Sequence, residues 1–196
     1  MTKEQLIKKV YRCIDETYPD TTEQDLEEFN IPAFLDEAVR WVVKAVPVGA
    51  LGEGDTHDSL TLPTDFLRLL EFKMDGWKVS VTEALSQDNP KYWQQQNPAL
   101  RGGNSRPLVF LVKGETELEP YPYYEKEVTD KDGKKSLVPA IETLRVFKMP
   151  TDYANYPDKL LDVTAWKVAE LVFSMMQDAN GVSVAQAQIQ NIMPTL

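Results

Sequence analysis

His57 is the only histidine of the chain, and the segment Asp55-Thr56-His57-Asp58 would place an imidazole base beside carboxylates. Catalysis by a histidine base requires an orienting partner and a reacting group within hydrogen-bond reach. No nucleophile with a supporting motif stands near His57, and no serine occupies a nucleophile elbow. The pattern favours a solvent-facing loop histidine over a catalytic base. We therefore expect that the chain is not an enzyme.

Metal chemistry is restricted in the same way. Cys13 and His57 are the single cysteine and histidine, and together they cannot supply the ligand set of a zinc site. Oxygen ligands for magnesium or calcium keep a metal-dependent enzyme open as a rival interpretation. The segment 130–135 is similar to a calcium loop, but Gly133 comes too early and Lys131, Lys134 and Lys135 oppose cation binding. A hairpin tip is favoured there, and no cofactor or metal is expected.

Phosphate-binding glycine motifs are missing from the sequence. Gly49, Gly52 and Gly54 match neither the P-loop nor the dinucleotide fingerprint. Arg101-Gly102-Gly103, with Arg106 shortly after it, forms a small basic loop. Such a loop suits either a phosphate or an acidic partner subunit, and both possibilities stay open.

Aromatic side chains are more informative than the polar ones. Several lie in polar or extended segments, where aromatic residues are typical of protein interfaces. A small core beneath a long loop is the alternative explanation, and both remain open. The candidate contacts to neighbouring subunits or partners are Trp77, Trp93, Arg101, Arg106, Tyr121, Tyr123, Tyr124, Lys131 and Lys134. Trp41 and Trp166, in contrast, fall on predicted helices and are expected in the core.

The net charge of −10 argues against a general affinity for nucleic acid or for an anionic membrane. It fits simple solubility, or a surface that repels DNA and lets it pass. A single cysteine excludes an internal disulfide, and the N-terminus lacks the apolar stretch of a signal peptide. No run approaches the roughly 18 apolar residues of a membrane span. We expect a protein made and used inside a cell, or in a particle assembled there.

Helical periodicity marks both ends of the chain. Residues 3–17 predict a helix with a capping box of Thr2 and Gln5, and residues 31–46 predict a second, with Asn30 as its N-cap. The second helix is apolar almost all round, which is typical of a helix buried either in the core or against a neighbouring subunit. A third helix should run from about residue 160 to 178 with Asn180-Gly181 as its C-cap. Ser183 should then cap a last helix over 184–193.

Strand patterns fill the middle of the chain. Residues 66–74 and 78–82 predict a hairpin around Asp75-Gly76, and further strands are expected at 107–113 and 142–149. Segment 118–127 contains Pro120 and Pro122, which indicates an edge strand or an arm. Residues 136–140 can return beside 125–129 as a protruding hairpin. One or two helical turns are expected within 83–97.

These elements predict an α+β fold with segregated parts. Residues 1–47 and 157–196 would form a helical bundle, and residues 59–149 a β-rich insertion with an arm at 118–140. The whole chain, residues 1–196, would be a single domain.

The order of these elements resembles the head-to-tail connector proteins of tailed bacteriophages, the adaptor or ring proteins of short-tailed and crAss-like phages. An amphipathic N-terminal helix pair and a C-terminal helix at 160–176 belong to the resemblance. The segments that carry it are Leu62-Pro63-x-Asp65-Phe66-Leu67-Arg68-Leu69, Gly76-Trp77, Asn97-Pro98-Ala99-Leu100-Arg101-Gly102 and Arg106-Pro107 with the strand that follows.

The resemblance implies a mechanical function. Copies of the chain would form a ring, a dodecamer by the family pattern, that docks beneath the portal protein and joins it to further tail or ring proteins. DNA would pass through the channel without sequence-specific binding, and no membrane would be involved. The protein would be made in the host cytoplasm and reside in the virion at the head–tail junction. A binding module or assembly chaperone that stays outside the virion is the alternative.

Overall fold

The computed structural model describes residues 2–17, 31–97, 99–129, 131 and 133–196. The predicted N-cap Asn30, Pro98 of the resemblance segments, and Asp130 and Asp132 of the expected hairpin tip lie outside this range. The chain divides into two compact units, Met1–Gly52 with Met149–Leu196, and Glu53–Lys148. The first is called the helical unit and the second the β unit. Their sequence limits fall close to those expected for the bundle and the insertion.

Among the described residues, the helical unit has four α-helices, α1 (Lys3–Thr17), α2 (Ile31–Ala45), α4 (Leu161–Met175) and α5 (Ala179–Ile192). Short 3₁₀ segments accompany them at Val48–Leu51, Asp158–Leu160 and Met193–Thr195. Helix α4 packs against α1, α2 and α5 and is buried on several sides. Its sequence is apolar around most of its circumference because three neighbours cover it.

Helix α1 begins with the predicted capping box. Thr2 Oγ1 accepts a hydrogen bond from the Gln5 amide at 3.3 Å, and Gln5 Oε1 accepts one from the Thr2 amide at 2.9 Å. The two bonds satisfy amides that have no partner within the helix. The buried face of α1 consists of Leu6, Val10, Cys13 and Ile14.

Helix α2 has one buried face within the chain, so it is not enclosed by the core on all sides. Its burial against a neighbouring subunit stays a prediction. The buried face carries Ile31, Leu35, Ala38, Val39, Val42 and Val43. Trp41 lies off this stripe and is 38% exposed, so its predicted core position is wrong. The ammonium of Lys167 lies 4.5 Å from the centroid of the Trp41 ring, a cation–π contact that partly covers it. Trp166 is buried, as predicted.

The turn between α4 and α5 falls earlier than the sequence indicates. Gln177 adopts a left-handed φ of 58°, and Asp178 is the N-cap of α5, accepting from the amides of Asn180 at 3.1 Å and Gly181 at 3.0 Å. The predicted C-cap at Asn180-Gly181 and the capping box at Ser183 are therefore wrong. Glycine is needed at 181 for space, since a Cβ there would lie 2.7 Å from Cγ of Phe173.

The β unit contains β1 (Asp55–Thr56), β2 (Phe66–Met74), β3 (Leu85–Ser86), α3 (Pro90–Gln95), β4 (Leu108–Val112), β5 (Glu117–Tyr121), β6 (Glu125–Thr129), β7 (Lys135–Pro139) and β8 (Ile141–Lys148). They form sheets of order β1-β8-β2 and β3-β4-β5 and the two-stranded hairpin β6-β7. All neighbours are antiparallel except β3 and β4. The architecture is α+β, as the sequence predicts.

Strand β2 pairs with β8 rather than with residues 78–82. The Asp75-Gly76 turn does form, with the Trp77 amide bonded to the Met74 carbonyl at 3.0 Å, but the return segment contributes only the bridge Phe72↔Val81. Lys73 and Glu142 form a cross-strand ion pair at 2.6 Å between β2 and β8. The long-range partner therefore replaces most of the local hairpin.

Two buried tyrosines in the helical unit allow a stability test. The rings of Tyr153 and Tyr156 meet edge to face at 5.6 Å, and the Tyr156 hydroxyl bonds Thr164 Oγ1 at 2.8 Å. The Tyr153 hydroxyl is buried and has no hydrogen-bond partner among the described residues. Leaving a buried polar group unpaired costs about 1–3 kcal/mol.

We predict that Tyr153→Phe keeps or raises the free energy of unfolding, because it removes an unpaired hydroxyl. Tyr156→Phe should lower it by about 1–3 kcal/mol, because the hydroxyl of buried Thr164 loses its partner. Urea unfolding at neutral pH measures both variants. Equal losses in the two variants would contradict the assignment.

Candidate interaction surface

The groups that could have carried chemistry are engaged in local structure. The ring of His57 donates through Nε2 to the Thr61 carbonyl at 2.8 Å, which fixes the imidazole against its own loop. Asp55, its predicted carboxylate neighbour, lies 3.5 Å from the ammonium of Lys148. Within the described ranges, no three histidine, cysteine, aspartate or glutamate side chains lie together in a way that could hold a metal ion.

Cys13 is also placed for packing. Burial, reinforced by the negative charges of Glu16 and Asp162, raises the pKa of the Cys13 thiol to about 12. A thiol of this kind stays protonated at neutral pH and is a poor nucleophile. No described helix is both long and apolar enough to cross a membrane.

Trp77 belongs to the core of the β unit. Its side chain is 3% exposed, its ring meets Phe72 edge to face at 5.4 Å, and its Nε1 donates to the Pro122 carbonyl at 3.0 Å. A side chain buried in this way cannot contact a partner, so Trp77 is corrected from contact residue to core residue. Its indole bond holds the backbone just before the β6-β7 hairpin.

Tyr121 is likewise held within the β unit. Its ring packs edge to face on buried Phe110 at 5.9 Å, and Tyr92 packs on the same ring at 5.2 Å. Both hydroxyls donate to Glu119, Tyr92 at 3.0 Å and Tyr121 through a short bond. Burial and the Glu119 carboxylate raise the pKa of Tyr121. Tyr121 is thus half-buried at the end of β5 and has a structural role there. Its predicted contact to a partner stays a prediction.

The predicted arm therefore begins later than residue 118. Leu118 is buried and residues 117–121 pair with β4 along their whole length. Only the hairpin β6-β7 has the character expected of an arm. The register runs from Glu125↔Pro139 to Thr129↔Lys135, and every residue of β6 is exposed.

Exposed apolar side chains lie on the hairpin and on its root, the residues Tyr123 and Tyr124 just before β6. Leu137 is 67% exposed, and Tyr123, Tyr124 and Val128 are also exposed. Antiparallel partners share a face, so Leu137 lies with Glu127 on one face, and Val128 with Ser136 on the other. Val128 and Leu137 were not among the predicted contact residues, because no alternation of apolar and polar residues in 125–129 or 135–139 marks them.

Charged candidates lie at the tip and at the basic loop. Lys131 and Lys134 are exposed beside the turn, where a hairpin tip was expected. Arg106 is exposed, and Arg101 donates through Nε to the Gln95 carbonyl at 3.0 Å. Loop 99–106 is thus held against α3. A phosphate and an acidic partner subunit both stay open as its ligand.

A single buried amide organises that loop. Gln95 on α3 is buried, its Oε1 accepts from the Gly102 amide at 2.7 Å, and its Nε2 donates to the Lys91 carbonyl at 3.1 Å. Asn104 then accepts a hydrogen bond from the Tyr124 hydroxyl at 2.6 Å. The loop and the root of the hairpin are joined by this bond.

Trp93 is the most exposed aromatic side chain of the described residues, at 69%. It follows Tyr92 on α3, and the two rings meet edge to face at 5.7 Å. Leu100, in the loop after α3, is exposed as well. We call the set Trp93, Leu100, Tyr123, Tyr124, Val128 and Leu137 the exposed apolar set. It has no catalytic geometry, but large apolar side chains of this kind provide contact area to partners.

No protein-family model matches the chain, and a search of curated proteins finds no similar sequence. The likeness to phage connectors is therefore carried by the residues quoted above and remains a prediction.

The two tryptophans of the β unit should respond oppositely to truncation. Trp77→Ala should lower the free energy of unfolding by about 3–5 kcal/mol, because it leaves a cavity beside Phe72. Trp93→Ala should change it by no more than about 0.5 kcal/mol, because the side chain is exposed. Urea unfolding followed by circular dichroism measures both. A comparable loss in the Trp93 variant would contradict a surface role.

The tyrosine pair predicts sensitivity to alkali. Free tyrosine titrates near pH 10, whereas the pKa of folded Tyr121 is raised, so above that pH the unfolded chain releases a proton that the native state retains. The contribution is fully present below about pH 10 and is lost as pH rises above it. The slope of stability against pH in this range should be shallower in Tyr121→Phe. Identical slopes in the variant and the natural chain would contradict the burial of this hydroxyl.

Proposed function

We propose that the chain is a structural subunit of a phage head-to-tail connector, which docks to the portal, joins it to the tail and lines part of the genome channel. It acts without catalysis, cofactor or metal. The observation that carries the proposal is the β6-β7 hairpin, which exposes both of its faces.

A two-stranded hairpin is marginally stable in water by itself, because it has too little apolar surface to bury. This hairpin keeps Val128 and Leu137 exposed instead of folding them against its own unit. Such an element gains free energy when a partner covers it. Exposed aromatic and aliphatic side chains around its root support the same interpretation.

The charge of the chain supports passage of DNA. A net charge of −10 opposes the counterion release that drives binding to the phosphate backbone. An acidic channel wall would let the genome slide past without sequence-specific binding. The family resemblance supplies the dodecameric ring, the portal protein and further tail proteins as partners, with assembly in the host cytoplasm and a final place in the virion.

The decisive test compares two exposed apolar side chains of the β unit. Leu137→Ser removes a side chain of the hairpin that is 67% exposed, and Val79→Ser removes one outside it that is 47% exposed. The hairpin variant should weaken assembly with the portal about fivefold or more, because truncating a central contact residue costs over about 1 kcal/mol. The Val79 variant should assemble normally. Native mass spectrometry of subunit–portal mixtures measures both.

Excision of the hairpin is a stronger test of its role in assembly than a single substitution. Replacing residues 126–138 by a short glycine turn keeps Tyr121 and Trp77 in place and should abolish assembly while leaving the far-ultraviolet circular dichroism of the helices. Normal assembly after excision would contradict the arm's role.

Purified particles separate the connector from the assembly chaperone. A connector subunit remains in the virion after purification, whereas a chaperone is released. Presence of the chain in purified particles at a fixed ratio to the portal is the expected result. Its absence from particles that contain portal and tail would overturn the connector in favour of the chaperone.

A further inference from the structure

The hairpin has two outer edges. Within the described residues, the only strand that β6 pairs with is β7, and the reverse is also true. Each strand therefore presents one row of backbone N–H and C=O groups that no other described strand occupies. Such a row is a template for a further strand.

The two strands carry opposite net charge. Strand β6 has two glutamates, Glu125 and Glu127, and one lysine, Lys126, which gives −1. Strand β7 has one lysine, Lys135, and no acidic residue, which gives +1. Within the hairpin, Lys135 Nζ and Glu127 Oε1 lie 2.6 Å apart. The opposite charges of the two strands thus already form one ion pair inside the subunit.

We propose that hairpins of successive copies pair edge to edge, with the acidic strand β6 of one copy beside the basic strand β7 of the next. The occupant of each edge is a second copy of this chain. The inference deepens the proposed function and rests on it only in requiring several copies side by side.

Rotational repetition gives this arrangement the right strand direction. Copies related by rotation about a common axis keep the same orientation, so β7 of one copy meets β6 of the next in an antiparallel sense. That is the sense of the ladder inside the hairpin. The contact is heterologous, and repeated contacts of this type close into rings when the rotation permits.

A twofold contact between identical edges is disfavoured by charge. A twofold pair of β6 strands centred on Lys126 would place Glu125 opposite Glu127 and Lys126 opposite Lys126. A pair of β7 strands would offer Lys135 no acidic side chain, because β7 has none. Like charges opposite each other destabilise a strand pair. The chain's own charges therefore select unlike edges.

Two residues limit pairing of lone copies. Lys126 is the second residue of β6, and Pro139, which has no amide hydrogen, ends β7. Lysine and proline on edge strands restrain uncontrolled aggregation. Pairing then requires copies that are already aligned or highly concentrated.

The test exchanges the charges inside one hairpin. The double variant Glu127→Lys with Lys135→Glu keeps the intrachain ion pair but reverses the sign of both strands. Copies of the variant should pair with one another as the natural chain does. A mixed contact would place like charges on facing edges, which should reduce its population by up to about fivefold per contact.

The matched control exchanges a pair elsewhere in the β unit. Lys73→Glu with Glu142→Lys reverses the cross-strand pair of β2 and β8, whose natural partners are 2.6 Å apart and partly exposed. Control copies should mix with natural copies at random. Native mass spectrometry of isotope-labelled and unlabelled copies at high concentration reads the composition of the oligomers.

Self-sorting of the hairpin variant, with random mixing of the control, supports the proposal. Random mixing of both variants overturns it, and so does a preference for mixed oligomers, which is the signature of twofold pairing of identical edges. Failure of the natural chain to associate at high concentration also overturns it. This test is independent of the test on purified particles. If the copies self-sort but the chain is absent from virions, the edge pairing holds and the connector function is rejected. If the chain is present in virions but the copies do not self-sort, only the edge pairing is rejected.

Discussion

The β unit depends on the long-range pairing of β8 with β1 and β2. Asp55 pairs with Val146 and Phe66 with Lys148, so the beginning and end of the insertion are held side by side in one sheet. This ladder buries Leu69, Phe72, Leu144 and Val146 in a common core. Glu71 and Arg145 add a cross-strand ion pair, and the hydrogen bond from Arg145 lowers the pKa of the Glu71 carboxyl. The segments between β2 and β8 are therefore inserted between two strands that pair with each other.

Closure also explains why aromatic residues of similar type have different roles. Trp77 follows β2 and Tyr121 ends β5. The Trp77 indole donates to the Pro122 carbonyl, and the Tyr121 hydroxyl donates to the Glu119 carboxylate. Tyr123 and Tyr124 follow within three residues but lie beyond the last strand that the core supports, and they are exposed. The sequence predicted a partner contact for all four aromatic residues from their type and segment. Their exposure in the structure differs because they lie at different distances from the core.

The sequence predicted what depends on local periodicity and failed where distant partners compete. The capping box of Thr2 and Gln5 and the hairpin β6-β7 depend on residues close together in the chain, and both were predicted. The Asp75-Gly76 turn was predicted too, but its return strand lost to β8, about 70 residues away, which no local pattern reveals. Trp41 was misplaced because apolar composition alone hides which face of α2 meets α4. Gly181 was misread as a helix stop, since its purpose is space for Phe173.

The β6-β7 hairpin differs from the main strands of the β unit, because its apolar side chains Val128 and Leu137 are not buried. Strands β2, β4, β5 and β8 have a core beneath them, and the buried side chain of Gln95 has its hydrogen bonds. Strands β6 and β7 have a ladder but little core beneath them, and their strand charges are opposite. An isolated subunit gains little from keeping such an element, because two strands alone barely repay the entropy of ordering them. In the proposed function, the gain comes from a surface outside the subunit, and the opposite strand charges of the hairpin fit a second copy of itself.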